Sequence, residues 1–235
     1  MISPLLLAIL IPAFGALLAW LLKPMRPIRN LFNLLIPAGL LAVVLSILPE
    51  ALAGEEMTFT IGELGSGLSF ALALTPLGMI YALVAASLWI LNTIYSYGYM
   101  HGLYGKDFDG QERYWCAFAM AILSAMGIAF SANMLTLFLF YEVMTFSTWP
   151  LVTHTRKPEA KRSGRIYLGI LVGSSTLFML TATVLTWVWT GTLDFKDGGI
   201  LSGSTTAGQA AVLILLFFFG TGKTAIFPLH QWLPN

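Results

Sequence analysis

The chain has 235 residues, of which 57% are hydrophobic and only 10% are charged, and its formal net charge is +1. Because soluble domains carry about 25% charged residues, this composition excludes an ordinary soluble domain and a disordered chain. It also excludes a nucleic-acid-binding protein, which needs a basic surface, and the single cysteine excludes an intrachain disulfide.

Seven apolar segments are long enough to cross a membrane, which takes about 20 residues. They cover residues 3–22, 31–49, 75–97, 114–131, 133–152, 165–189 and 208–227. The first has no positive residue ahead of it and no small-residue cleavage site, so we expect a retained helix rather than a signal peptide. We therefore predict an all-α integral membrane protein with about seven transmembrane helices.

The loop at residues 50–72 combines alternating apolar residues with a glycine turn. Residues 58–61 and 68–72 alternate in polarity, and Gly65 and Gly67 lie between them. This pattern is typical of two strands joined by a tight turn. A short β-hairpin is one interpretation of the loop, and an irregular loop is the other.

The distribution of Lys and Arg among the loops predicts the orientation of the chain. Ten of these residues fall in loops on one side of the predicted membrane, whereas Lys196 alone falls on the other side. By the positive-inside rule, the N-terminus is outside and the loop at residues 153–164 is inside. The ten residues are Lys23, Arg26, Arg29, Lys106, Arg113, Arg156, Lys157, Lys161, Arg162 and Arg165.

Glu142 lies about ten residues into the fifth span, which places it ~15 Å deep in a core ~30 Å thick. A charge at that depth costs at least ~2.5–3.5 kcal/mol. One interpretation is a neutral glutamate that is hydrogen-bonded to a neighbouring helix, and the other is a carboxyl group that exchanges protons. Thr145, Ser147 and Thr148 follow on the same helix, where we expect them to bond to their own backbone.

The seventh span contains Lys223, which differs from Glu142 by only ~7 Å in predicted depth. Its long side chain can snorkel to the interface, or it can pair with Glu142 and change between an ion pair and two neutral groups. Pro228 removes a backbone donor, so we predict that it breaks this helix, and broken helices often mark ion sites. His230 follows as a proton relay or as an interface histidine.

Two motifs resemble those of a known family. The first motif is similar to the fifth-helix region of the antiporter-like membrane subunits. It consists of Phe-Tyr-Glu at 140–142, Ser-Thr-Trp-Pro-Leu-Val at 147–152 and Lys-Pro-Glu-Ala at 157–160. These subunits occur in respiratory complex I (NADH:quinone oxidoreductase), Mrp-type cation/proton antiporters and membrane-bound hydrogenases. Gly-Lys-Thr-Ala-x-Phe-Pro-Leu-His-x-Trp-Leu-Pro at 222–234 resembles their broken seventh helix.

The resemblance implies a fold of about fourteen helices with two inverted repeats. This chain would be its N-terminal half, with a three-helix region at residues 1–112 and an incomplete first repeat at residues 113–235. The second repeat would follow Asn235 or come from a partner chain. The resemblance also assigns Glu142 and Lys223 as a proton-translocating pair.

The partners implied are other membrane subunits, the lipid bilayer, and protons or sodium ions, in a prokaryotic inner membrane. We expect no cofactor, no metal and no nucleic acid, and any redox chemistry would belong to other subunits. A non-transporting anchor of a redox complex stays open, with Glu142 and Lys223 as a structural ion pair. A stand-alone enzyme has no supporting motif, since neither a metal-binding H-E-x-x-H sequence nor a nucleophile elbow occurs.

Overall fold

The computed structural model describes residues 3–65, 67–105 and 110–233. Ser66 in the predicted turn, the predicted inner residue Lys106, and the terminal Pro234 and Asn235 lie outside the described residues. The described helices are α1 (Pro4–Leu21), α2 (Arg26–Ser46), α3 (Leu48–Ala53), α4 (Pro76–Tyr104), α5 (Gln111–Ala129), α6 (Met134–Val152), α7 (Pro158–Ser174), α8 (Thr181–Thr190) and α9 (Ala207–Gly220). The strands β1 (Thr58–Gly65) and β2 (Leu68–Ala73) pair with each other.

The helices confirm the all-α membrane fold. Five helical stretches are long and apolar enough to cross a bilayer. They are Pro4–Leu21, Arg26–Ala53, Pro76–Tyr104, Met134–Val152 and Pro158–Thr190. Helices α5 and α9 lie at the predicted fourth and seventh spans, but α5 opens with polar residues and α9 is only 14 residues long.

The paired strands confirm the hairpin interpretation of the loop at residues 50–72. The β1 strand is largely exposed, whereas Ala71 and Leu72 of β2 are buried. Gly65 and Gly67 both have positive φ angles, which residues with a side chain rarely adopt. The alternation of residues therefore predicted the strands, and the two glycines permit the chain reversal between them.

The predicted sixth span is one continuous helical stretch with an irregular centre. Helix α7 runs into a π-helical segment at Ser175–Leu180, which continues directly into α8. A π-helical turn inserts an extra residue, shifts the side chains around the helix axis, and often lies at a functional site. This segment packs against α9, so it contacts the helix that precedes Lys223.

The described residues form two compact units. The first contains Met1–Phe59 and Leu72–Phe130, and its helices α1, α2, α4 and α5 pack together. In this unit the Lys23 ammonium lies 3.0 Å from the Glu112 carboxylate, and the buried Arg29 guanidinium donates to the Gln111 side chain at 2.8 Å. These contacts give partners to charges that would otherwise be costly to bury at the helix ends.

The second unit contains Thr60–Ala71 and Ser131–Asn235, and Asn133 joins three of its segments. The Asn133 side-chain oxygen accepts from the Thr136 backbone N–H at 2.8 Å, and this caps α6. Its amide donates to the Ser69 carbonyl at 2.9 Å, and its backbone bridges to Asp194. The side chain is 2% exposed, so its hydrogen bonds are shielded from water.

We expect Asn133→Ala to lower the thermal midpoint of the purified protein clearly. The variant loses a helix cap, worth about 1 kcal/mol, and a buried hydrogen bond to Ser69 worth about 0.5–1.5 kcal/mol. Asn133→Asp keeps the capping oxygen but places a second carboxylate oxygen against the Ser69 carbonyl, so its midpoint should also fall. Thermal unfolding followed by tryptophan fluorescence measures all three proteins, and an alanine variant as stable as the wild type would contradict the capping role.

Candidate functional site

The predicted seventh span is interrupted, but at Gly220 and not at Pro228. Helix α9 ends at Gly220, and a short 3₁₀ turn at Gly222–Thr224 follows. A Cβ atom on Gly220 would lie 2.7 Å from the Met179 backbone nitrogen, and one on Gly222 would collide with the Ser174 hydroxyl. Glycine favours the interruption because it permits these close approaches and is a poor helix former.

Pro228 lies beyond this interruption, in a turn that no longer belongs to α9. The peptide bond between Phe227 and Pro228 is cis. Helix α9 has already ended when the chain reaches the proline. The missing backbone donor of Pro228 therefore does not cause the break, because α9 ends at Gly220.

Lys223 makes three contacts with one residue, Tyr141 of α6. Its ammonium donates a hydrogen bond to the Tyr141 backbone carbonyl at 2.8 Å. The same nitrogen lies 3.7 Å from the centroid of the Tyr141 ring, and the Lys223 backbone N–H donates to the Tyr141 hydroxyl at 3.3 Å. The cation is thus held against the middle of α6 by a carbonyl and an aromatic face.

Glu142 follows Tyr141 directly in α6, and one of its carboxyl oxygens, Oε1, is buried. Among the residues that the structure describes, Oε1 has no hydrogen-bond partner. Within those residues Glu142 and Lys223 also form no ion pair shorter than 4.0 Å, whereas Lys23 and Glu112 do. In this structure the Lys223 ammonium therefore contacts Tyr141, and the ion-pair form of the predicted Glu142–Lys223 pair is not observed among the described residues.

His230 lies apart from these two groups. Its side chain is exposed, and its ring stacks on Phe227 at a centroid distance of 5.6 Å. Across residues 110–233 it has no hydrogen bond to Glu142 or Lys223. The structure thus does not connect the predicted relay residue to the other two.

A second set of contacts stabilises the backbone at Gly222, next to Lys223. The Trp232 indole N–H donates to the Gly222 carbonyl at 3.1 Å, and the Trp232 ring packs edge-on against Tyr167 at 5.7 Å. The Tyr167 hydroxyl in turn shares a hydrogen bond of 2.6 Å with Thr148 of α6. Tyr167 and Trp232 therefore tie the segment after α9 to both α6 and α7.

Sequence reasoning missed the positions of Tyr141, Tyr167 and Trp232 in this site. Tyr141 and Trp232 lie in the two motifs that carry the family resemblance, but neither motif predicted their contacts with Lys223 and Gly222. The hydroxyl residues that follow Glu142 behave as predicted, because they bond to their own helix. Thr145 donates to the Tyr141 carbonyl at 3.1 Å, and Thr148 donates to the Met144 carbonyl at 2.8 Å.

The site thus places the Lys223 ammonium on Tyr141, the residue directly before Glu142. Both groups lie among apolar helices. Such groups can gain and lose protons, but they provide no ligand set for a metal. Within residues 3–65, 67–105 and 110–233, no cluster of three His, Cys, Asp or Glu side chains could hold a metal ion.

Comparisons with known proteins identify relatives of this chain. Residues 131–235 match the family model described as NADH:quinone oxidoreductase/Mrp antiporter, TM. Hydrogenase-4 component B of Escherichia coli is 31% identical over 167 residues, which are 70% of this chain and 24% of that protein. A Na(+)/H(+) antiporter subunit of Alkalihalophilus pseudofirmus is 27% identical over 240 residues, which cover 100% of this chain and 28% of that protein.

A solved structure supports the same fold. The chain is similar to part of the membrane-bound sulfane sulfur reductase, an archaeal respiratory membrane complex, with a TM-score of 0.81 and 21% identity. The match covers 99% of this chain and 47% of the matched chain of that complex. This chain spans about a quarter of the length of the curated relatives it matches. The matched family region contains both Glu142 and Lys223. Residues 131–235 of the chain therefore belong to the antiporter-like membrane subunit family of complex I, Mrp antiporters and hydrogenase complexes.

Proposed function

We propose that this chain is part of a subunit that translocates protons across a membrane, with Glu142 and Lys223 as the groups that carry them. The observation that carries the proposal is the placement of the Lys223 ammonium on α6 at Tyr141, the residue next to Glu142. An ionisable side chain inside a membrane helix is costly, so its presence there favours a function in ion transfer.

The two groups differ in how their neighbours satisfy them, and this difference suits proton transfer. Lys223 has an acceptor and an aromatic face, which stabilise its charged form. The Glu142 Oε1 atom has no partner among the described side chains and backbone groups. A carboxyl group with a free oxygen can accept a proton and release it without breaking an existing hydrogen bond.

The orientation and the partners belong to the same proposal. The excess of Lys and Arg in alternate loops supports an outside N-terminus, and the proposed location is a prokaryotic inner membrane. The relatives support partners among other membrane subunits, because one is named as a component of a hydrogenase and one as part of an antiporter. The name of the latter, Na(+)/H(+) antiporter, supports exchange of sodium for protons.

Lys223→Met in the complete complex tests the proposal. We expect proton-coupled flux into inverted membrane vesicles to fall at least about tenfold, because an ammonium that stabilises transferred charge is removed. Lys223→Arg keeps the positive charge and should retain part of the flux. Normal flux in Lys223→Met, at the same level of assembled complex, would show that the lysine has only an interfacial role.

A double replacement separates transport from the anchor alternative. The anchor interpretation uses Glu142 and Lys223 as a structural ion pair, and the described residues contain no such pair. Replacing both together, as Glu142→Gln with Lys223→Met, removes both charges at once. An assembled complex that loses flux supports transport, whereas one that keeps full activity supports the anchor.

A further inference from the structure

The position of the Lys223 ammonium depends on groups that are themselves fixed. The Tyr141 carbonyl that accepts from Lys223 also accepts from the buried Thr145 hydroxyl, so the acceptor is part of the rigid backbone of α6. The Lys223 backbone is placed by its neighbour Gly222, which lies against Ser174 and accepts from Trp232. The Lys223 backbone and the acceptor of its ammonium are thus both held in place, so the ammonium has one preferred location.

Tyr141 contributes to that location with its ring as well as its backbone. A cation 3.7 Å above a ring centroid is well within the distance at which the aromatic quadrupole attracts positive charge. The Tyr141 hydroxyl also accepts from the Lys223 backbone N–H, a donor that the interrupted helix leaves free. A single residue thus binds the side chain and the backbone of Lys223.

We infer that Tyr141 is a positioning residue, which docks the Lys223 ammonium on its ring and carbonyl beside Glu142 but not in a salt bridge with it. This assignment deepens the proposed function and rests on it. Because the ammonium already has its own acceptor, Glu142 can change its protonation state without releasing the lysine. Tyr141 acts through Lys223 and does not itself carry the proton.

Chemical labelling of Lys223 tests the docking without requiring transport. Membranes that contain the complete complex are treated with acetic anhydride, which crosses the bilayer and acetylates accessible amines, and the Lys223 peptide is quantified by mass spectrometry. We expect Tyr141→Leu to raise the labelling rate about fivefold, which is within the range that loss of a cation–π contact supplies. Tyr141→Phe and Tyr141→Trp keep an aromatic face and should stay within about twofold of the wild type.

Two matched variants show which residue holds the amine. Glu142→Gln should raise Lys223 labelling less than Tyr141→Leu does, because Glu142 and Lys223 form no ion pair within 4.0 Å among the described residues. Tyr81→Leu removes an exposed tyrosine from α4 and should change nothing. Unchanged labelling in Tyr141→Leu would overturn the assignment, as would a larger increase in Glu142→Gln than in Tyr141→Leu. If Tyr141→Leu fails to accumulate, Tyr141→Met provides a second non-aromatic side chain that suits a helix.

Flux measurements on the same variants separate this assignment from the proposed function. Tyr141→Leu should reduce proton-coupled flux about tenfold, because the ammonium loses its place beside Glu142, and Tyr141→Phe should restore most of it. Increased labelling with undiminished flux would overturn the positioning role. Normal flux in Glu142→Gln would instead refute the proposed function, whereas the labelling result for Tyr141 would still stand.

Discussion

Glu142→Gln is expected to abolish proton-coupled flux, by a factor of at least about one hundred, while the complex assembles normally. Glutamine has nearly the same size and shape as glutamate but cannot gain or lose a proton at neutral pH. The buried carboxyl oxygen, Oε1, has no partner within the described residues, so a glutamine that places its amide nitrogen there breaks no hydrogen bond. The loss should therefore be one of transport and not of stability.

The measurement is proton uptake by inverted vesicles, with the amount of assembled complex determined on the same membranes. Glu63→Gln is the matched control, because it makes the same chemical change on an exposed residue of β1. It should leave both quantities at the wild-type level. An assembled Glu142→Gln complex with normal coupled flux would refute the role of Glu142 in translocation.

The second large effect is expected for Gly220→Ala, which should prevent normal accumulation of the protein. A methyl group at this position would lie 2.7 Å from both the backbone nitrogen and the Cβ atom of Met179. Backbone atoms cannot move aside as a flexible side chain can, so α9 and the π-helical segment must separate. Overpacking of this kind typically costs about 1–3 kcal/mol, and it also displaces Lys223, which follows three residues later.

Gly208→Ala makes the same substitution in the first turn of the same helix, where a methyl group would meet nothing within 4 Å. Because alanine is a better helix former than glycine by roughly 1 kcal/mol, this control should be neutral or slightly stabilising. Membrane protein levels and thermal midpoints of the two variants provide the comparison. Equal stability of the two alanine variants would contradict the close contact at Met179.

Several elements of the fold were predictable because their causes are local. The spans follow from runs of apolar residues, and the hairpin follows from alternating residues and two glycines. The turn between the fourth and fifth spans ends at Asn133, a residue type that caps helices well, and α6 begins at the next residue. In each case a residue's own chemistry and its immediate neighbours are sufficient to define the local structure.

The end of α9 was not predictable in the same way. Pro228 is a strong local signal for a helix break, but the helix has already ended at Gly220. The earlier end accompanies close packing against Met179, a contact between residues far apart in the chain. A glycine in a helical sequence can occur for several reasons. At Gly220 the reason is the close approach of Met179, which only the tertiary structure shows.

The sequence by itself determined which ionisable residues fall inside apolar segments, where a charge is costly. It therefore pointed to Glu142 and Lys223 and to the membrane class of the protein. Only the tertiary structure decided which group receives the Lys223 ammonium. The depth of a residue in the membrane can be counted from residue numbers only while the helix is continuous. Helix α9 ends at Gly220, so the count does not apply to Lys223. The direction of the lysine side chain then depends on α6, where a carbonyl and an aromatic ring of Tyr141 hold the ammonium and the adjacent carboxylate does not.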